Sequence, residues 1–218
     1  VTLSSSYLGD DKDNYIFTDQ GSTTANITAK TLSLSGLTAS NKTYDGDTVA
    51  TISSYGSLSG IETGDTVTLN TDNADPDFDT KNVGTGKTVT VQSLALAGTD
   101  AGNYTIGNET TTANITAKTL TLSGLTADNK TYNGNTVATI SSYGSLSGVV
   151  SGDTVSLDSS SADPDFDTKN VGTGKTVTVQ SLALSGDDAG NYTIGNETTT
   201  ADITAKTLTA TLSASNKT

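Results

Sequence analysis

The sequence predicts an all-β chain of tandem antiparallel β-sandwich repeats with an 88-residue period, and three observations carry that prediction. The hexapeptide ITAKTL begins at Ile27, Ile115 and Ile203, so one vocabulary returns every 88 residues. Residues 27–114 align with 115–202 without a gap and differ at 15 of 88 positions, most of them mild exchanges such as Ser33 against Thr121 and Ile61 against Val149. Within each copy, Thr31-Leu32-Ser33-Leu34, Thr66-Val67-Thr68-Leu69 and Thr88-Val89-Thr90-Val91 alternate apolar and hydroxylated side chains, as a half-buried strand does. Gly, Asn, Asp and Ser clusters interrupt these runs at roughly the 8–12-residue spacing of sandwich strands. No stretch shows a helical period, and short strands in a unit of this size pack best as two facing sheets.

The repeat sets the organisation of the chain. Residues 1–26 fall, with one-residue shifts, on the last part of a preceding copy, so that Asp13-Asn14-Tyr15 lies under Gly102-Asn103-Tyr104. Residues 27–114 and 115–202 are complete copies, and 203–218 open a further one. The expectation is a segment of a longer tandem array. The alternative is a processed subunit whose partial N-terminal unit (Val1, Leu3, Leu8, Tyr15, Ile16, Phe17) is completed by strands of a neighbour. From Thr110 to Ser123 the chain has no Gly and no Pro, so this joint resembles neither a flexible nor a polyproline linker. The last strand of one copy is expected to run directly into the first strand of the next, giving a semi-rigid rod.

Strand by strand, the expected core is Leu32, Leu34, Leu37, Val49, Ile52, Leu58, Val67, Leu69, Phe78, Val83, Val89, Val91, Leu94, Leu96, Tyr104 and Ile106, with the residues 88 positions on. The apolar phase moves from odd positions (Val89, Val91) to even ones (Leu94, Leu96), which predicts a bulge or a change of sheet near Gln92-Ser93. Asp100-Ala101-Gly102-Asn103-Tyr104 and Asp188 to Tyr192 have the D-x-G-x-Y spacing of the immunoglobulin-type tyrosine corner, in which the Tyr hydroxyl bonds backbone a few residues upstream. The predicted sandwich is therefore immunoglobulin-like.

Composition narrows the function. The chain has no Cys, His, Met or Trp, and its 11 basic residues are all lysine against 24 Asp and Glu, for a net charge of −13. Disulfides, Cys/His zinc sites, catalysis by His or Cys and bidentate Arg recognition of phosphate are excluded. So acidic a chain is not expected to bind nucleic acid or an anionic membrane. No reactive group recurs with the repeat, and no enzymatic activity is expected.

Three motifs remain. Tyr44-Asp45-Gly46 and its copy Tyr132-Asn133-Gly134 read as tight turns, because Asp-Gly and Asn-Gly both tolerate positive φ. Gly84-Thr85-Gly86-Lys87-Thr88 lacks the spacing of a phosphate loop and reads as a hairpin turn. Asp75, Asp77 and Asp79, with Asp163, Asp165 and Asp167 in the second copy, surround the only prolines. One reading is a weak Ca²⁺ site, since hard cations take carboxylate oxygens; the other is a solvated acidic edge with Phe78 turned inward. No catalytic, cofactor or metal residue is assigned. Thr110-Thr111-Thr112 marks a hydroxylated face that could contact glycan.

Together K-T-Y-D-G (Lys42 to Gly46), S-G-I-E-T-G-D-T-V (Ser59 to Val67), K-N-V-G-T-G-K-T-V (Lys81 to Val89), A-G-N-Y (Ala101 to Tyr104) and I-T-A-K-T-L resemble the tandem YDG repeat of large bacterial surface and secreted proteins, including filamentous-haemagglutinin-like adhesins. Asn133 departs from the Asp of the namesake turn. The resemblance implies a non-enzymatic stalk or fibre component of an adhesin at the bacterial cell surface or outside the cell. Its expected partners are neighbouring repeats, and host or matrix glycan or protein engaged through other regions. The alternatives are a filament subunit assembled by β-strand exchange and a glycan- or surface-binding module.

Overall fold

The computed structural model describes residues 10–16 and 24–217. Val1, Leu3, Leu8 and Phe17, named above for the partial N-terminal unit, lie outside the described residues. The first copy contributes β1 (Lys30–Ser35), β2 (Thr38–Ala39), β3 (Lys42–Thr43), β4 (Ile52–Ser54), β5 (Ser57–Ser59), β6 (Thr68–Asn70), β7 (Asp75–Phe78), β8 (Gly84–Gln92), β9 (Ala95–Ala97), β10 (Tyr104–Ile106) and β11 (Glu109–Thr116). The second repeats them 88 residues on as β12 (Lys118–Ser123), β13 (Thr126–Ala127), β14 (Lys130–Thr131), β15 (Ile140–Ser142), β16 (Ser145–Ser147), β17 (Ser156–Asp158), β18 (Asp163–Phe166), β19 (Gly172–Gln180), β20 (Ala183–Ser185), β21 (Tyr192–Ile194) and β22 (Glu197–Thr204). Helix among the described residues is limited to three-residue 3₁₀ turns. That at Lys12–Asn14 has the form of those at Ala101–Asn103 and Ala189–Asn191, each after an Asp and before an extended Tyr.

Packing divides the chain into two compact units. The first takes in the described residues up to Ser35 with Ser57–Asp75 and Gln92–Glu109. Its sheets have the orders β10-β1-β5 and β6-β9, around buried Leu32, Val67 and Tyr104. The second takes in Gly36–Gly56, Pro76–Val91 and the described residues from Thr110 on. It holds β3-β11-β8-β7 with β2-β4 from the first copy, and β16-β12-β21, β17-β20, β14-β22-β19-β18 and β13-β15 from the second. We call the β1, β5, β6, β9, β10 set the A half of a copy and the remaining strands its B half. The second unit thus contains the B half of copy one and both halves of copy two.

The all-β class and the 88-residue period are as predicted, and antiparallel pairing joins β12 to β16, β17 to β20, β18 to β19 and β19 to β22. Parallel pairs were not expected. β12 lies parallel to β21, with Lys118 opposite Tyr192, and β14 parallel to β22, with Lys130 opposite Ile203. Parallel strands need a long crossover, which the intervening strands supply, and alternation within a strand carries no information about its partner's direction.

The change of phase after Val91 is a change of sheet. Ser93 and Ser181 have φ +57° and +56°, rare for a residue with a side chain. In the second copy β19 ends at Gln180 beside β18 and β22, whereas β20, from Ala183, pairs with β17. The Gly-x-Gly segments do not form hairpin turns. They open β8 and β19, where Gly86 and Gly174 have φ +61° and +57° and the β19–β22 register shifts between Gly172 and Lys175, so the glycines serve a bulge.

Leu32, Val67, Phe78, Val89, Val91 and Tyr104 are buried as predicted. Val49 and Val137 are 62% and 59% exposed instead, because each forms only an isolated bridge to Asp77 or Asp165. The alternating face passes to Ala50 and Ala138, which are buried.

Candidate functional site at the junction between copies

β11 ends at Thr116 and β12 begins at Lys118, so Ala117 alone separates the last strand of one copy from the first of the next, as the absence of Gly and Pro predicted. The core around this joint is continuous across the repeat boundary. Tyr44, Ala50, Phe78, Val89, Ala113 and Ile115 of the first B half cluster with Leu120 and Tyr192 of the second A half.

Tyr44 follows β3, and its backbone N–H donates to the Thr116 carbonyl at 2.8 Å, so the turn is tied to the strand that crosses the joint. The ring is 1% exposed and meets Tyr192 edge to face, with centroids 5.3 Å apart and planes at 76°. The Tyr44 hydroxyl donates to Asp153 Oδ2 at 2.7 Å and the Tyr192 hydroxyl donates to the same atom at 2.6 Å. Lys81 Nζ donates to Asp153 Oδ1 at 3.1 Å and lies 5.9 Å from the Tyr44 ring centroid. Asn191, the one polar residue among the described ones that is buried, accepts the Val83 N–H at 3.0 Å.

The electrostatics follow from three donors on one enclosed carboxylate. Only 3% of the Asp153 side chain is exposed. The Tyr192 hydroxyl, then the Tyr44 hydroxyl and the Lys81 ammonium, hold its carboxyl below the usual range against the opposing effect of burial. The carboxylate pushes Lys81 up to about 12. Burial, then the same carboxylate, pushes Tyr192 up to about 12 and Tyr44 upward. The arrangement is a charged, hydrogen-bonded clasp across the joint.

The YDG turn divides its labour. Gly46 has φ +92°, and a Cβ built there would fall 2.6 Å from Val150 Cγ1, so only glycine admits the following copy this closely. Asp45 pairs with Lys42 at 2.8 Å and accepts the Asp47 N–H at 3.3 Å. Asn133 accepts the Asn135 N–H at the same 3.3 Å, so the exchange keeps the turn and loses a charge. The turn reading therefore holds, but it missed that Tyr44 is the plug of the joint. The one available signal was a large aromatic placed in a turn and not in an alternating run.

The D-x-G-x-Y motif works differently from the corner expected. The Tyr104 hydroxyl accepts the Glu62 N–H at 3.1 Å and donates to Asp65 Oδ2 at 2.6 Å, while Asp100 Oδ2 accepts the Thr66 N–H at 2.8 Å. Motif and partner are about forty residues apart, so it staples the 62–66 loop to β10 and does not close a local corner. The second copy repeats this through Val150, Asp153 and Thr154.

The acidic motifs form β7 and β18, each at the edge of its sheet with Phe78 or Phe166 buried. Asp77 accepts the Thr48 hydroxyl at 2.9 Å, and Asp165 that of Thr136 at 2.8 Å. Asp79 and Asp167 pair with Lys87 and Lys175 at 2.7 Å, and Asp75 and Asp163 are exposed. Among the described residues no three Asp or Glu side chains are arranged to hold a metal ion. On the Thr-rich strand, the Thr111 hydroxyl donates to the Leu37 carbonyl at 3.0 Å, leaving Thr110 and Thr112 exposed.

An all-β repeat whose core is shared between successive copies belongs to the class of tandem repeat proteins, in which each unit leans on its neighbour. The family model of the YDG domain matches residues 28–113 and 116–202, and the chain belongs to that family as two tandem YDG domains. No curated protein matches the chain. No solved structure matches it either.

Proposed function

We propose that this chain is a non-enzymatic structural segment of a large bacterial cell-surface or secreted adhesin, forming part of a stalk or fibre that projects or links an adhesive region. The observation that carries the reading is the clasp of Tyr44, Lys81, Asp153 and Tyr192. A single-residue joint with an enclosed hydrogen-bonded core stiffens the chain between copies, which a projecting element needs and a binding or catalytic site does not. The YDG family and the high negative charge, which keeps a long array soluble, support it. Single-molecule stretching of the chain tests it. Asp153→Asn should lower the force at which the second unit opens; a force unchanged by the substitution would remove the mechanical role. Labelling of unpermeabilised cells by an antibody to the chain tests the location.

The clasp requires no cofactor, and the carboxylates of both acidic motifs are largely engaged by lysine and threonine. Millimolar Ca²⁺ should therefore leave the melting temperature unchanged, and a rise of several degrees would reinstate the calcium reading.

A further inference from the structure

The YDG turn occurs in two chemical forms. In the first copy Lys42 pairs with Asp45 at 2.8 Å and with Asp47 at 2.7 Å. In the second, Asn133 and Asn135 stand at those positions, and Lys130 donates to Asn135 Oδ1 at 3.0 Å and to the carbonyls of Asn135 and Val137 at 2.9 and 2.8 Å, all neutral acceptors. The two turns otherwise match. Gly46 and Gly134 have φ +92° and +88°, Asp45 and Asn133 each accept the N–H two residues on at 3.3 Å, and Lys42 and Lys130 lie over the Phe78 and Phe166 rings. Lys130 thus keeps the seat of Lys42 without, among the described residues, a carboxylate to pair with.

Asn133-Gly134 is also the one Asn-Gly pair in the sequence. Both residues are exposed, a Cβ at Gly134 would meet nothing, and no acceptor among the described residues takes the Gly134 N–H. The bond from the Asn135 N–H folds the Asn133 carboxamide back over the peptide that follows it. The Gly134 nitrogen, unshielded by a side chain and uncommitted, is therefore placed beside an electrophilic carbon. Access does not depend on where the chain stops: at the built junction Gly46 lies against Val150, yet the Asp45 side chain is still 49% exposed.

We propose that Asn133 is a site of non-enzymatic deamidation, and that the carboxylate formed there completes the second turn as Y-D-G with Lys130 as its partner. The Gly134 nitrogen bonds to Asn133 Cγ, the Cγ–Nδ2 bond breaks, and ammonia leaves with the proton from the Gly134 amide, which closes a succinimide. Water then opens the ring. Cleavage at Cγ gives Asp in an unchanged backbone, and cleavage at the main-chain carbonyl gives isoAsp; water is the sole co-reactant. Asp45-Gly46 is protected from ring closure, because an ionised carboxylate is a poor electrophile and Val150 crowds Gly46. The inference rests on the turn geometry and not on the adhesin reading.

Incubation of the native 218-residue chain at mildly alkaline pH and physiological temperature tests it. Lysine-specific cleavage and mass spectrometry of residues 131–169 should show the amide-to-acid mass gain at Asn133, while Asn135 and the asparagines of other peptides keep their amides. Isoaspartyl methyltransferase should label part of the product, and hydroxylamine, which cleaves a succinimide, should cut the chain after residue 133. Gly134→Ala, checked for folding by circular dichroism, should lose the conversion; the hydroxylamine cut needs no variant. An intact Asn133, a mass gain spread equally over other asparagines, or a product with neither isoAsp nor a hydroxylamine cut overturns the site. For the pairing, Asn133→Asp should raise the melting temperature at low ionic strength, and the rise should shrink in high salt. A fall at low ionic strength overturns Lys130 as the partner.

Discussion

Asp153 carries three donors on a carboxylate that water scarcely reaches, whereas its first-copy counterpart Asp65 receives the Tyr104 hydroxyl and the adjoining recess is open. Hydrogen bonds to a charged group contribute about 1.5–3 kcal/mol each, and an unpaired enclosed donor adds to the loss. Asp153→Asn should therefore destabilise the chain by about 2–3 kcal/mol more than Asp65→Asn does, as read from urea unfolding. The same residues set the pH response. Tyr192 and Lys81 both titrate near 12 in the folded state, above their ordinary values of 10.0 and 10.5. A raised folded value means stability is fully present below pH 10 and is lost as the pH rises towards 12. Asp153 is lowered, so its contribution is present above its ordinary 3.8 and is lost as the pH falls below it. Melting curves from pH 9 to 12 should fall steeply for the wild type and less steeply for Tyr192→Phe.

At the scale of elements, the two YDG turns share a backbone and differ in surroundings. Gly46 and Gly134 have φ +92° and +88°, so alanine is strained at either. Only at Gly46 does the new methyl meet Val150; at Gly134 the space is open. Gly46→Ala should exceed Gly134→Ala in cost by about 1–3 kcal/mol, the range for overpacking, and equal losses would show that the approach relaxes freely. The strand elements were largely legible beforehand. Alternation located β1, β6 and β8, and the phase slip located the crossing at Ser93. The parallel partners were not legible, because a two-residue period states which face is inward and not which strand lies alongside. The same limit produced the error at Val49, where a neighbouring turn and an isolated bridge decided the facing side chain.

In the whole molecule, the period of packing is out of phase with the period of the sequence. The copies run 27–114 and 115–202, yet the B half of the first copy shares its core with the A half of the second. Cooperative opening should follow the packing. Hydrogen exchange should show Gly36–Gly56 and Pro76–Val91 protected together with β12, β16 and β21, and Asp153→Asn should lower protection in all of them. Protection that divides at residue 114 would mean that each copy opens alone.

The sequence by itself determined the all-β class, the 88-residue repeat, most of the apolar face and the directness of the joint, because these depend on local alternation, turn chemistry and self-similarity. It also showed the YDG motif, but only as a turn. That Tyr44 enters the next copy, that Asp153 gathers donors 39, 72 and 109 residues away, and that the core belongs to a junction were decided by tertiary structure. Two near-identical copies carry nearly the same residues at the faces where they meet, Glu62 against Val150 being an exception. Nothing local distinguishes a half that packs within its own copy from one that packs on its neighbour; only the path of the chain through space makes that choice.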